Sequence, residues 1–109
     1  MQSLDLAPQL WADLVSGEKR ATIRWGERTI SPGPMAYVHE TERDRRIEVM
    51  VTRVTEMPLR EVAEFLGRKR DWPDRVLLEG MRKHYPEITL EDRVQVIEHP
   101  PFERPRPRR

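Results

Sequence analysis

Ser16-Gly17-Glu18-Lys19-Arg20-Ala21-Thr22-Ile23-Arg24-Trp25-Gly26 joins the end of a helix to the start of a strand. Upstream of it, Leu10, Trp11, Leu14 and Val15 recur at helical spacing and Pro8 suits a first helical turn, which predicts a helix over 8–16. Gly17 is the residue type that closes a helix in the left-handed conformation. Downstream, Ala21, Ile23 and Trp25 alternate with Arg20, Thr22 and Arg24. That alternation predicts a strand over 20–25 that buries the first set and presents the second on its other face. A hydroxyl then stands between two guanidinium groups, with Lys19 close by in the turn.

Working outward, 26–34 reads as a loop whose Ser31-Pro32-Gly33-Pro34 run is strong turn chemistry. Pro34 lacks a backbone donor where a second strand starts, which predicts an edge or a bulge there. A short strand follows over 35–39, then a charged connection over 40–46 without glycine. Next comes a half-buried antiparallel strand in which Ile47, Val49 and Val51 alternate with Glu48, Met50 and Thr52. Pro58, Leu59, Val62, Ala63, Leu66 and Gly67 describe a two-turn helix. A further helix starts near Pro73, with Asp71 or Trp72 in its cap region, and runs through Leu77, Leu78, Met81 and Tyr85 to Pro86. Residues 91–99 supply a closing strand, Pro100 and Pro101 stop its pairing, and 103–109 reads as an extended, disordered Arg/Pro tail. Strands grouped early and late, with no regular βαβ alternation, indicate an α+β domain.

Residues 17–24 resemble the Gly-x-Lys-x-x-Thr-x-Arg signature of ASCH domains, small relatives of the PUA fold linked with RNA and nucleotide metabolism. Gly33 opening the second strand, a hydrophobic strand at 47–54, a helix ending in the Leu78 to Tyr85-Pro86 spacing and a last strand at 94–97 follow in the family's order. The resemblance covers most of residues 6–102. It implies one ASCH domain over 1–102, built as a small, partly open, mostly antiparallel PUA-like β-barrel. Helices would sit at the barrel's side and mouth, with the helix-to-strand junction opening into the cleft.

A threonine hydroxyl attacks a carbonyl only when a base takes its proton. A lysine is such a base when neighbouring cations, here Arg20 and Arg24, and partial burial disfavour its ammonium form. One branch of the family, the small bacterial acetylcytidine amidohydrolases, is similar in this stretch and uses the matching Lys and Thr with a Glu from the later helical region. That likeness makes Lys19 and Thr22 candidate catalytic residues. The acidic partner departs from the family pattern: aligning Ala63 and Gly67 puts Leu66 in its place, and anchoring on Tyr85-Pro86 puts Arg70 there. Glu64 and Asp71 are the nearby carboxylates that could take the role, against ordinary readings as a solvated face residue and a helix cap. For binding, Arg24 offers a rigid fork for phosphate, carboxylate or a base edge, against a structural ion pair. Arg20, Arg28 and Arg70 add cations, and Trp72 is a stacking candidate for a nucleobase, whereas Trp25 belongs to the core. Three functions stay open: recognition of RNA or a modified nucleoside, hydrolysis of an acetylated nucleoside such as N(4)-acetylcytidine, and a non-catalytic regulatory or interaction role.

Composition narrows these classes. A chain of 109 residues is one domain by length. Its net charge of +1 hides an asymmetry, since 103–109 carries four Arg and one Glu, or +3, which leaves −2 for 1–102. A body of that charge does not present the broad basic surface of a duplex binder, so a small anionic ligand, or one nucleotide of a longer one, fits better. With no cysteine and with His39, His84 and His99 lacking ligand spacing, no metal site is expected, and no cofactor is expected either. No apolar run approaches the roughly 20 residues that span a bilayer, and the start lacks a basic segment followed by an apolar one. Those features predict a cytoplasmic chain with no membrane partner. The oligomeric state is left open.

Overall fold

The computed structural model describes residues 1–103. Beyond Glu103, the expected tail lies outside the described residues. Among the described residues, six strands and three helices follow one another as β1 (Gln2–Leu6), α1 (Pro8–Ser16), β2 (Ala21–Arg24), β3 (Gly33–His39), β4 (Arg46–Val51), β5 (Arg53–Pro58), α2 (Val62–Phe65), α3 (Asp74–Arg82) and β6 (Arg93–Glu98). A single 3-10 turn, Leu59–Glu61, leads into α2. The strands form two three-stranded sheets, ordered β1-β3-β4 and β2-β6-β5. The fold is α+β as the residue pattern indicates, and no closed barrel forms among the described residues.

The chain divides into two compact units. One comprises Met1–Thr22, Ile30–Val54 and the described residues from Ile97 on; the other comprises Ile23–Thr29 and Thr55–Val96. In the first, β1 runs parallel to β3 with Gln2 opposite Met35 and Leu6 opposite His39, and β4 runs antiparallel with Gly33 opposite Val51 and Val38 opposite Arg46. In the middle strand β3, Met35, Ala36, Tyr37, Val38 and His39 are all buried, so both of its faces are covered, whereas β4 alternates between buried Val49 and Val51 and exposed Glu48 and Met50. Trp11 and Leu14 of α1 join Leu4, Leu6, Ile30, Met35, Tyr37, Val49, Val51 and Ile97 in one apolar core. The turn between β3 and β4 contains no glycine. The His39 imidazole organises it instead, its Nδ1 accepting the backbone N–H of Glu42 at 2.9 Å and of Thr41 at 3.3 Å.

Two expectations need qualifying here. No bulge forms at Pro34, where the register runs continuously opposite Met50, but the residue pairs with β4 alone, so its other side is an edge. An antiparallel neighbour needs donors only from alternate residues, and β1 starts pairing one residue later at Met35, so the missing N–H breaks no ladder. The Gln2 side chain secures the same corner, donating to Ser31 O and Pro34 O and accepting from Ser31 N. The strand read over 47–54 also divides, β4 ending at Val51 and β5 beginning at Arg53.

The second unit packs Met57, Leu59, Val62, Ala63, Leu77, Met81, Ile88, Val94 and Val96 together. Pro58 ends β5 and precedes the 3-10 turn, so the predicted two-turn helix is a 3-10 turn followed by the short α2, stopped by Gly67 at φ 70°. Helix α3 buries Leu77 and Met81 and ends at Arg82 rather than Tyr85. Turn bonds from His84 N and Tyr85 N to Met81 O, and from Arg82 Nε to Ile88 O, carry the chain onward. No side chain caps α3; Pro73 occupies the N-cap, and Asp71, expected in that cap region, pairs with Arg68 at 3.3 Å.

Candidate functional site

In the first unit, the signature residues sit where α1 gives way to β2. Gly17 closes α1 with φ 86°, its N–H bonding Leu14 O, and a Cβ placed on it would lie 3.2 Å from Phe102 O and 3.4 Å from Pro101 Cβ. Glycine is required twice over at that point, for the left-handed conformation and for the close approach of 101–102. Lys19 follows, half-buried, with its N–H bonded to Asp13 O and its ammonium donating to Ala21 O at 2.8 Å. The same ammonium lies 6.0 Å from the centre of the Tyr37 ring, at the outer reach of a cation–π contact. Arg20 is exposed and its carbonyl accepts from His99 N at 3.0 Å. Thr22 is 5% exposed.

Beneath this junction lies a buried polar chain. The Tyr37 hydroxyl and His99 Nε2 are 2.8 Å apart, and His99 Nδ1 is 2.8 Å from Pro100 O. A carbonyl only accepts, so Nδ1 carries the proton and donates to Pro100, and in the neutral ring Nε2 accepts from the Tyr37 hydroxyl. Burial pushes the His99 pKa down from its usual 6.5, the Pro100 carbonyl opposes that, and the charge on Lys19 adds to it. His99 is therefore a neutral imidazole at pH 7. Every buried side-chain polar atom among the described residues has a hydrogen-bond partner.

The second unit holds the other candidates. Arg24 ends β2 and its Nη1 lies 3.4 Å from Glu27 Oε1. The other carboxylate oxygen of Glu27 accepts from the Tyr85 hydroxyl, and Tyr85 packs edge-on to Trp25 at 5.9 Å. Burial, then the bond to Glu27 and its charge, push the Tyr85 pKa up to about 12. Arg28 is exposed while its carbonyl accepts from the buried Gln95 side chain at 2.7 Å. The segment after α2 sets the Arg68 guanidinium over the Trp72 ring at 4.9 Å, with Arg68 also paired to Asp71. Arg70 and Glu64 are exposed.

No family model and no curated protein matches the chain. Solved structures do. A variant of ZmASCH from Zymomonas mobilis with phenylalanine in place of a tyrosine has a TM-score of 0.65, covering 90% of this chain and 67% of its own at 11% identity. A serine-to-alanine variant of that protein has a TM-score of 0.64, covering 89% and 65% at 11% identity. The chain has the ASCH-domain fold. It spans about two thirds of the length of those structures, at 67% and 65%.

Within this ASCH fold, Lys19, Arg20 and Thr22 share the first unit with Tyr37 and His99, while Arg24, Arg28, Glu64, Arg70, Asp71 and Trp72 belong to the second. The period-two burial expected of 20–25 is not kept. Thr22 is the buried member of β2, and Ala21, Ile23 and Arg24 are each half-buried, so both faces of this short strand are covered. Ile23 and Trp25 do pack on the second core. Tyr37 and His99 carry no local sequence signal as a pair, being 62 positions apart. Glu27 was findable as the first carboxylate after Arg24.

No helix among the described residues is long and apolar enough to cross a membrane, and none of their His, Asp and Glu side chains group in threes to hold a metal ion.

Proposed function

We propose that the Lys19–Thr22 segment recognises RNA or a modified nucleoside or nucleotide, with the Lys19 ammonium contacting a phosphate in RNA or a nucleotide and the exposed Arg20 guanidinium beside it. The observation that supports this most is the placement of Lys19. Its ammonium is half-buried, held at 2.8 Å by Ala21 O, and seated over the Tyr37 ring. A cation fixed by its surroundings loses less freedom on binding than one at the end of a mobile stem. Arg24, Arg28, Arg70 and Trp72 are further candidate contacts in the second unit. Arg24 reaches a ligand by keeping Glu27 on one side of its fork or by exchanging it.

A second reading keeps the same segment and adds chemistry, with Thr22 as nucleophile and Lys19 as base in the hydrolysis of an acetylated nucleoside. Its support is the burial of Thr22 within three residues of the half-buried Lys19. Its weak point is the acid. Asp71 is committed to Arg68, and Glu64 stands exposed on α2. An interaction role without chemistry is the third outcome.

Titrating the labelled protein with a short single-stranded oligoribonucleotide, while following amide shifts, tests the first reading. Shifts centred on residues 17–22 are expected, and shifts confined elsewhere contradict it. Incubation with N(4)-acetylcytidine separates the second: release of acetate that is lost in both Thr22→Val and Lys19→Met establishes the hydrolase.

A further inference from the structure

Tyr37 and His99 are absent from the signature, yet they are the buried polar groups on which it rests. His99 is tied at three points: its N–H to Arg20 O at 3.0 Å, its Nδ1 to Pro100 O at 2.8 Å, and its Nε2 to the Tyr37 hydroxyl at 2.8 Å. Tyr37, wholly buried in the middle strand, offers its ring to the Lys19 ammonium and its hydroxyl to the imidazole. Charged and titratable groups face the imidazole from several elements among the described residues. Lys19 faces it from the junction before β2, Tyr37 from β3, and the neighbouring Glu98 carboxylate is turned to Arg53 of β5 at 2.6 Å. Arg20 meets it through the backbone alone among the contacts the structure shows.

We propose that the buried Tyr37–His99 pair is the positioning partner of Lys19, and that a phosphodiester held by the Lys19 ammonium is thereby coupled to protonation of the His99 imidazole. This rests on the reading of Lys19 as a phosphate contact. The coupling has a simple electrostatic origin. The charge on Lys19 opposes a second positive charge on His99, and an anion at Lys19 offsets that opposition. Linkage makes the effect reciprocal: the anion favours the imidazolium, and the imidazolium favours the anion. Tyr37 links the two groups, its ring centre 6.0 Å from the ammonium and its hydroxyl 2.8 Å from the imidazole nitrogen.

The test follows the His99 ring resonances of the full chain by NMR across pH, alone and with the dinucleotide uridylyl-uridine, whose phosphodiester keeps one charge throughout that range. The titration midpoint of His99 is expected to rise by about half a pH unit with the dinucleotide, which corresponds to about threefold tighter binding at low than at high pH. Lys19→Met and Lys19→Gln should raise the midpoint without any ligand and abolish its response to the dinucleotide. Tyr37→Phe should keep the fold and shrink the response. A midpoint unmoved in both Lys19 variants overturns the coupling. A full response in Tyr37→Phe removes Tyr37 from it. If the Lys19 variants raise the midpoint while the dinucleotide leaves the unmodified protein unchanged, the Lys19–His99 coupling stands and the phosphate reading of Lys19 falls.

Discussion

The two units of this ASCH fold satisfy the ends of one sequence signature by different means. In the first, Lys19 is held by a neutral carbonyl and an aromatic ring above a buried, uncharged Tyr37–His99 chain. In the second, Arg24 meets the carboxylate of Glu27, itself bonded to Tyr85, at a partly exposed surface. A carboxylate partner offsets a cation's charge directly, and the Arg24–Glu27 pair is such a case. Residues five positions apart in one motif therefore need not act alike. Lys19 is the residue proposed above to meet a ligand, and Arg24 is in the first instance part of an ion-paired cluster.

The largest contrast between the units should come from removing one hydroxyl in each. Tyr37→Phe leaves His99 Nε2 buried without its donor and should cost about 1–3 kcal/mol, while Tyr85→Phe, half-buried, should cost under about 1 kcal/mol. Denaturant unfolding of both variants reads the difference, and equal losses would show that burial does not distinguish the two clusters. Two glycines give the next contrast. Gly17→Ala meets both a left-handed φ of 86° and the 3.2 Å approach of Phe102 O, whereas Gly67→Ala meets a φ of 70° with open space. About 1–2 kcal/mol is expected for the strain alone, so Gly17→Ala should lower the melting temperature more than Gly67→Ala does.

Much of this was legible in the chain itself. Pro8, the spacing of Trp11 and Leu14, and Gly17 define α1 because a helix writes its contacts within four residues. Strand β1 was not seen: Leu4 and Leu6 are too short an alternation, and its parallel pairing with Met35 to His39 is non-local. Strand β5 was hidden by the single residue Thr52 between it and β4 and by Pro58, which reads as a helix start and ends a strand. The motif residues Lys19, Thr22 and Arg24 were legible through the family likeness. The groups that support them were not, because Tyr37 and His99 meet only after β3 and the residues following β6 come together.

Smaller effects come from pH, and they separate the units by sign. His99 has a depressed folded pKa, so its contribution is present above the unfolded value of 6.5 and is lost as pH falls through the folded value. Tyr85 titrates near 12 when folded against 10 unfolded, so its contribution is present below pH 10 and is lost as pH rises toward 12. His99→Gln should flatten the acid limb of a melting-temperature profile and leave the alkaline limb, and Tyr85→Phe should do the reverse. Loss of the same limb in both variants would contradict the assignment.

The most direct test of the central claim compares the affinity of one short single-stranded oligoribonucleotide for Lys19→Met and Arg24→Met by fluorescence anisotropy at fixed salt. Lys19→Met is expected to weaken binding by about tenfold, or about 1.4 kcal/mol, and Arg24→Met by distinctly less, because its charge is already offset by Glu27. Binding by Lys19→Met equal to that of the unmodified protein, with Arg24→Met carrying the loss, would contradict the account.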